Sequence, residues 1–299
     1  MKFRPSPIAA FGIAATGIAL FSVMDALMKG LSLAIGVYNA MLWRNLAALP
    51  ISGLIYAVGR SGWPSRETMR VHVLRGLNGA VMAPLFFWGL VRTPLAQGVA
   101  LSFIAPVVAL FLAALLLNER ISRATISASV LAFGGVLVIL FGQVRAELGP
   151  EALLGSAAIL LSALSYAWNI ILMRQQAQIA GPAEVAFFQT LYMVLGLAVA
   201  APWLMQVPEL VHVMPLMVAA MLAIGSLVLL GWAYAHADAS YLAPVEYTAF
   251  IWASLLGWIF FAEGVSLLTV AGAVMIVAGC VISARQRKGP PIHVETTAV

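Results

Sequence analysis

The chain has 299 residues, of which 63% are hydrophobic and 9% charged, with a formal net charge of +5. A soluble domain carries about 25% charged residues, so this chain cannot clothe a water-facing surface. One cysteine, Cys280, excludes a disulfide scaffold. The apolar content excludes disorder, and 16 scattered basic residues offer no basic face for nucleic acid. With a mean hydropathy of +1.01, the composition is that of a polytopic integral membrane protein.

A spanning helix needs about 20 mostly apolar residues. Ten segments of that kind run near 8–31, 38–58, 73–91, 95–117, 125–142, 153–173, 183–204, 212–235, 241–261 and 267–284. They leave short connections and no room for a soluble domain. The first follows Met1-Lys2-Phe3-Arg4; its length and its polar end mark it as a retained helix rather than a cleaved signal. Breaks fall at Ser61-Gly62-Trp63-Pro64, Arg92-Thr93-Pro94, Gly149-Pro150 and Gly181-Pro182. Pro106 removes a backbone donor in the fourth segment and is expected to kink it, as Pro244 does early in the ninth; both are candidate hinges. The stretch from Gly289 to Val299 is expected to be disordered.

Lys and Arg set the orientation. With a cytoplasmic N-terminus, twelve basic residues fall on cytoplasmic segments, among them Arg60, Arg66, Arg70, Arg75, Arg120, Arg123 and Arg174. Only Arg92 and Arg145 fall on the far side, while Lys29 and Arg44 lie within spans. An even number of spans returns Arg285, Arg287 and Lys288 to the cytoplasm.

A shift of 144 residues aligns the two halves without a gap. It places Trp88 on Trp232, Glu119 on Glu263, Ser122 on Ser266, Gly135 on Gly279 and Ala105 on Ala249, with Asp25 on Asn169. Five spans per copy force the second copy to insert upside down, a transporter device. The arginines around the second loop (Arg60, Arg66, Arg70, Arg75) map to Leu204, Leu210, Met214 and Ala219, as a reversed orientation requires. The expected architecture is all-α: residues 1–7 cytoplasmic, 8–143 a first five-helix repeat, 152–285 an inverted second repeat, and 286–299 a cytoplasmic tail.

The chain resembles the drug/metabolite transporter superfamily, specifically its ten-span EamA-type members. The resemblance rests on Phe21-Ser22-Val23-Met24-Asp25-Ala26-Leu27-Met28-Lys29, Trp43-Arg44, Pro94-Leu95-Ala96-Gln97, Ala105-Pro106 and Leu117-Asn118-Glu119-Arg120-Ile121-Ser122. Phe261-Ala262-Glu263-Gly264-Val265-Ser266 echoes the last motif, and the likeness covers about residues 8–285. It implies two inverted five-helix repeats around a central cavity and the movement of amino acids, cofactors, nucleotide sugars or drugs. Small four-span relatives carry protons on a first-span glutamate; Asp25 lies near the other end of its span, so that role does not transfer.

Ionisable residues inside a bilayer face the bundle interior and pair. Asp25 and Lys29 are four apart on one helix face, and Arg44 starts the next helix at similar depth. They are expected to form a cluster near the periplasmic end, as a carboxylate site, an outer gate or a structural ion pair. Glu246 lies early in the ninth span, where it meets a substrate amine or a proton, or is an interfacial residue in water. Glu119 and Glu263 read as caps or loop ion pairs at span ends, and His72 and His212 as loop residues. Asn78, Gln97 and Asn169 are buried amides, with Asn169 the best cavity candidate beside Trp168; Trp88, Trp232 and Tyr234 are candidate cavity aromatics. His236 and Asp238 lack a third metal ligand, and no P-loop, H-E-x-x-H or C-x-x-C motif is present, so neither a cofactor, a metal nor an ATPase partner is implied.

The reading is a secondary transporter of the bacterial inner membrane. It exports small metabolites by alternating access, neutral or aromatic amino acids foremost. Uptake of a vitamin or nucleotide-like solute and drug efflux are the alternatives. An intramembrane enzyme would need a nucleophile–base pair or metal set at membrane depth, which the sequence does not offer.

Overall fold

The computed structural model describes residues 7–59, 62–117, 123–145, 149–236, 242 and 245–285. Among them every regular element is helical: α1 Pro7–Ile35, α2 Val37–Val58, α3 Arg66–Leu90, α4 Leu95–Ser102, α5 Ala105–Leu117, α6 Arg123–Arg145, α7 Gly149–Ala177, α8 Pro182–Ala198, α9 Ala201–Leu204, α10 Leu210–His236, α11 Thr248–Phe261 and α12 Leu267–Arg285. Five are long and apolar enough to cross a membrane, at Ile8–Ile35, Val37–Val58, Arg66–Leu90, Gly149–Met173 and Leu210–Ala233. Five shorter apolar helices accompany them, beginning at Leu95, Ser129, Pro182, Thr248 and Leu267.

The main departure from the expected segments is at α3. It begins at Arg66, seven residues before the apolar stretch at 73, because Ser65 caps it by accepting from the Thr68 N–H at 3.2 Å. His72 therefore sits on a helix rather than in a loop. The fourth segment is broken rather than merely kinked. α4 ends in tight turns, with Phe103 N bonded to Ala100 O and Ile104 N to Leu101 O, and α5 restarts at Ala105. Pro106 has no N–H to offer the Ser102 carbonyl four residues back, which is where continuity is lost. Pro244, Glu119, Arg120 and Asp238 lie outside the described residues, as does the side chain of Tyr234.

Polarity is distributed inside out. Asp25, Lys29, Asn45, His72, Gln97, Asn169, Gln176 and Glu184 are buried. Large apolar residues are exposed along whole helix faces, as with Val130, Phe133, Leu137 and Phe141 on α6. Water-soluble folds do the reverse. An apolar exterior with backbone bonds closed inside helices is what a bilayer demands.

The 144-residue offset carries into structure. Moving α3, α5 and α6 by that offset gives starts at 210, 249 and 267 and, for α5, an end at 261, within a residue of α10, α11 and α12. Packing follows the same map: α1 lies against α10 as α7 lies against α3, and α1 against α11 as α7 against α5. Directions can be read from the contacts. Asn78 Nδ2 donates to Ser165 O at 3.0 Å, Ser162 Oγ donates to Met82 O at 2.8 Å, and Arg92 Nε donates to Glu151 Oε2 at 2.9 Å. Residue numbers rise along α3 as they fall along α7, so the two run antiparallel. Lys29 at the end of α1 meets Thr93 just past the end of α3, so α1 runs with α3 and against α7.

Phe103 and Tyr247 are 144 residues apart, and their rings meet edge-on at 5.4 Å. Tyr247 also marks the turn before α11, with Thr248 Oγ1 donating to Val245 O at 2.6 Å as Ser102 Oγ donates to Val99 O at 2.7 Å. Two helix interruptions thus meet at the centre of the bundle.

Backbones come close where glycines face each other. A Cβ on Gly135 of α6 would lie 2.5 Å from the Gly272 carbonyl oxygen and 2.8 Å from Ile276 of α12. Neither backbone can retreat without separating the most closely packed helix pair. Gly135→Ala should therefore destabilise the protein by about 1–3 kcal/mol, whereas Gly231→Ala, with nothing within 4 Å of its Cβ, should not. Melting of the purified protein in detergent reads the difference.

Candidate functional site

Charged and amide side chains gather at three levels along the bundle. At one end, Lys29 Nζ donates to Thr93 O at 2.8 Å and pairs with Glu263 Oε1. Glu263 reaches that position through an unusual turn. Ala262 holds φ 53 after α11, in the left-handed region, and Glu263 N–H bonds back to Gly257 O at 3.0 Å. The second carboxylate oxygen accepts the Leu95 N–H at 2.6 Å, capping α4. Phe261 roofs the ammonium at 4.9 Å from its ring centre. One carboxylate thus ties together the ends of α1, α3 and α11 and the start of α4.

This corrects the expected Asp25–Lys29 pair. Lys29 turns to Glu263, which offers a carboxylate together with the Thr93 carbonyl, and the i, i+4 rule sees only local partners. Asp25 lies one turn deeper with Arg44 as its charge neighbour. Arg44 Nη1 also contacts Met24 Sδ at 3.6 Å, and no Asp25–Arg44 ion pair closes within 4.0 Å among the described residues. At the same end Asn39 Oδ1 accepts from Gln206 N at 2.8 Å and Trp43 Nε1 donates to Gln206 O at 2.8 Å, tying α2 to the segment after α9.

The middle level surrounds the two interruptions. Tyr166 on α7 is 40% exposed, yet its charge neighbours are Arg75 on α3 and Glu246 beside Tyr247. Its exposure therefore opens onto a space between helices. Asn169, one turn further along α7, is 5% exposed with Oδ1 unpartnered; Arg75 Nε and Gln189 Oε1 are likewise buried without a partner. Buried polar atoms are almost always satisfied; among the described residues these three and Ser32 Oγ have no protein partner. Gln97 is buried on α4, Asn78 bridges α3 to α7, and Trp168 is 38% exposed.

The expected cavity tryptophans part ways. Trp88 is 37% exposed under the Arg92 guanidinium, 3.6 Å from its ring centre. Trp232 packs inward beside Ala14, Ile18 and Leu242 and stacks on His236 at 4.2 Å.

At the opposite end, about 30 Å along α3 from Thr93 at about 1.5 Å per residue, lies the group that sequence reasoning missed. Arg75 donates to Gln176 Oε1. Gln176 Nε2 meets His72 Nδ1 at 2.5 Å, and His72 Nε2 meets Glu184 Oε1 at 2.9 Å. His72 stacks on Phe188 at 4.8 Å. The usable signal was the spacing Ser65, Thr68, His72, Gly76, Gly79, a cap followed by a helical stripe of polar and small residues.

The model of the EamA-like transporter family matches residues 8–141 and again 153–285. The chain belongs to that family. It is similar to the pseudopaline exporter CntI of Pseudomonas aeruginosa, 29% identical over 279 residues that cover 90% of this chain and 93% of that one. A riboflavin transporter of Rhizobium johnstonii is 27% identical over 282 residues, covering 91% and 89%. A crystal structure superposes at a TM-score of 0.58 with 19% identity, over 94% of this chain and 100% of that one, which bears on the fold alone. With its apolar helices, this chain is a multi-pass membrane protein of a transporter family.

The Lys29–Glu263 pair yields a direct test. Removing one partner of a buried ion pair strands the other, at about 3–5 kcal/mol. Lys29→Met alone should lower stability by that order. Lys29→Met with Glu263→Gln should recover most of it, because the amide oxygen still caps Leu95. A double-mutant cycle on melting temperature in detergent separates the two effects.

Proposed function

We propose that this family member crosses the inner membrane ten times as two inverted repeats and exports small zwitterionic metabolites, neutral or aromatic amino acids foremost. The meeting of two interrupted helices at Phe103 and Tyr247 carries the reading, because discontinuous helices at mid-bundle are where transporters of this kind of symmetry hold their cargo. The opposite directions of α1 and α7, the double match of one family model and the skewed placement of Lys and Arg support the inversion. They also support cytoplasmic termini, a periplasmic Lys29 end and a cytoplasmic His72 end.

A zwitterion fits between Glu246 and Arg75, its ammonium toward the carboxylate and its carboxylate toward the guanidinium edge whose Nε lacks a partner. Tyr166 lies between them, Asn169 offers a further acceptor, and Phe103 and Tyr247 receive an apolar side chain. Lys29, already committed to Glu263, serves as part of a periplasmic gate with Asp25 and Arg44 behind it. Pro106, at the break between α4 and α5, marks a hinge.

The test uses purified protein in liposomes loaded with a mixed metabolite pool, with mass spectrometry of what leaves. Selective loss of amino acids is the expected result. Loss of a cofactor or nucleotide would discard the cargo, and loss of nothing from folded protein would discard transport. Glu246→Gln should weaken apparent affinity by about tenfold to a hundredfold, the worth of one charge-assisted hydrogen bond, with maximal rate far less affected.

A further inference from the structure

The chain of hydrogen bonds at the His72 end has a polarity that the side-chain chemistry fixes. A guanidinium only donates, so Gln176 must turn its carbonyl oxygen toward Arg75. Its NH2 group then faces His72 Nδ1. An NH2 group also only donates, so Nδ1 is the acceptor and carries no proton. The imidazole proton is therefore on Nε2, donated to the Glu184 carboxylate. Every link is satisfied with His72 neutral and in this single tautomer.

A second proton has one place to go, Nδ1, where it points at the amide hydrogens of Gln176. Turning the amide over relieves that contact and presents NH2 to Arg75 instead. No orientation of Gln176 serves both a protonated His72 and Arg75. His72 is 0% exposed and Gln176 0% exposed, so the lost bond is not replaced by water while the helices stay closed. Proton binding therefore favours arrangements in which the end of α7 is separated from α3.

We infer that His72 is a proton-binding site that couples a cytoplasmic proton to the opening of the cytoplasmic end. The inference rests on the transport reading for the identity of that end and for what its opening serves. The charged groups facing the imidazole are Glu184 from α8 and Arg75 from α3, with Gln176 the polar contact from α7. Tyr56 of α2 neighbours Glu184, Tyr166 of α7 neighbours Arg75, and Tyr192 of α8 bonds to Met69 Sδ. Arg66, Glu67 and Arg70 lie on the exposed first turns of α3. The device is one-ended: the 144-offset partners of His72, Arg75, Gln176 and Glu184 are Leu216, Ala219, Ser32 and Ala40, none of which titrates.

The test is amide hydrogen exchange on the whole protein in lipid vesicles, corrected for intrinsic pH dependence. It compares residues 66–79 and 170–185 with the Lys29 end as pH falls from about 8 to about 5, the range in which imidazoles take up protons. The conformation that binds the proton gains population on acidification. Wild-type exchange at the His72 end should rise about tenfold, the loss of one link to a charged group, and stay level at the Lys29 end. His72→Gln should be flat. Gln176→Glu is the sharper variant. A carboxylate accepts from both Arg75 and a protonated Nδ1, so the imidazole takes its proton, seen by nitrogen NMR, with the bridge intact and no rise in exchange.

A level wild-type response, or a rise that survives either substitution, would overturn the inference. Where His72→Gln fails to fold, Gln176→Glu decides alone. No cargo is needed, so an empty efflux assay with a normal exchange response would remove the transport reading and leave the proton site standing.

Discussion

A charge placed among apolar helices has to find its counter-charge on another helix, and this requirement organises the bundle. Lys29 can be held where it is only because Glu263, 234 residues away, is delivered to it by a strained turn at Ala262. The same carboxylate caps α4, so one ion pair sets how α1, α3, α11 and the start of α4 are joined. At the other end the sequence Arg75, Gln176, His72, Glu184 answers the same requirement with a neutral bridge between a cation and an anion. The apolar exterior supplies little preference between helix arrangements, since lipid tails are as apolar as the side chains they touch. Close glycine contacts such as Gly135–Gly272 bring backbones together; the polar ties decide which ends are shut.

The two ends are built differently despite the shared repeat. The Lys29 tie is an ion pair with backbone partners, and the His72 tie includes an imidazole. A symmetric pair of halves can occupy two conformations of nearly equal energy. At the offset positions of His72, Arg75 and Glu184 stand Leu216, Ala219 and Ala40, all buried, so the inferred proton response belongs to the His72 end.

Much of the helical layout was legible because it depends on composition over windows of a spanning length. The apolar segments and a disturbance of the helix near Pro106 followed from local chemistry, although the sequence indicated a kink where the helix breaks. The start of α3 was misplaced because Arg66 and Arg70 depress the apolar signal there, although Ser65 and Glu67 signal a helix start. The pairing of Lys29 was missed for a different reason: the local rule nominates Asp25, and no local rule connects residues 29 and 263. The His72 network is the same kind of case, joining positions 72, 75, 176 and 184 across three helices. Trp88 and Trp232, equivalent by offset, have different surroundings because Arg92 covers one and His236 stacks on the other.

Phe103 and Tyr247 occupy equivalent places in the two halves and touch each other. In the proposed alternating-access cycle, a residue on such an axis experiences the exchange of the two conformations as an exchange of its own two sides. Changing its size therefore alters the height of the path between them while leaving their relative populations nearly untouched. Residues without a counterpart, such as His72, do the opposite and tilt the populations. Turnover speed and resting poise are thereby written at separate positions, and selection can adjust one without disturbing the other.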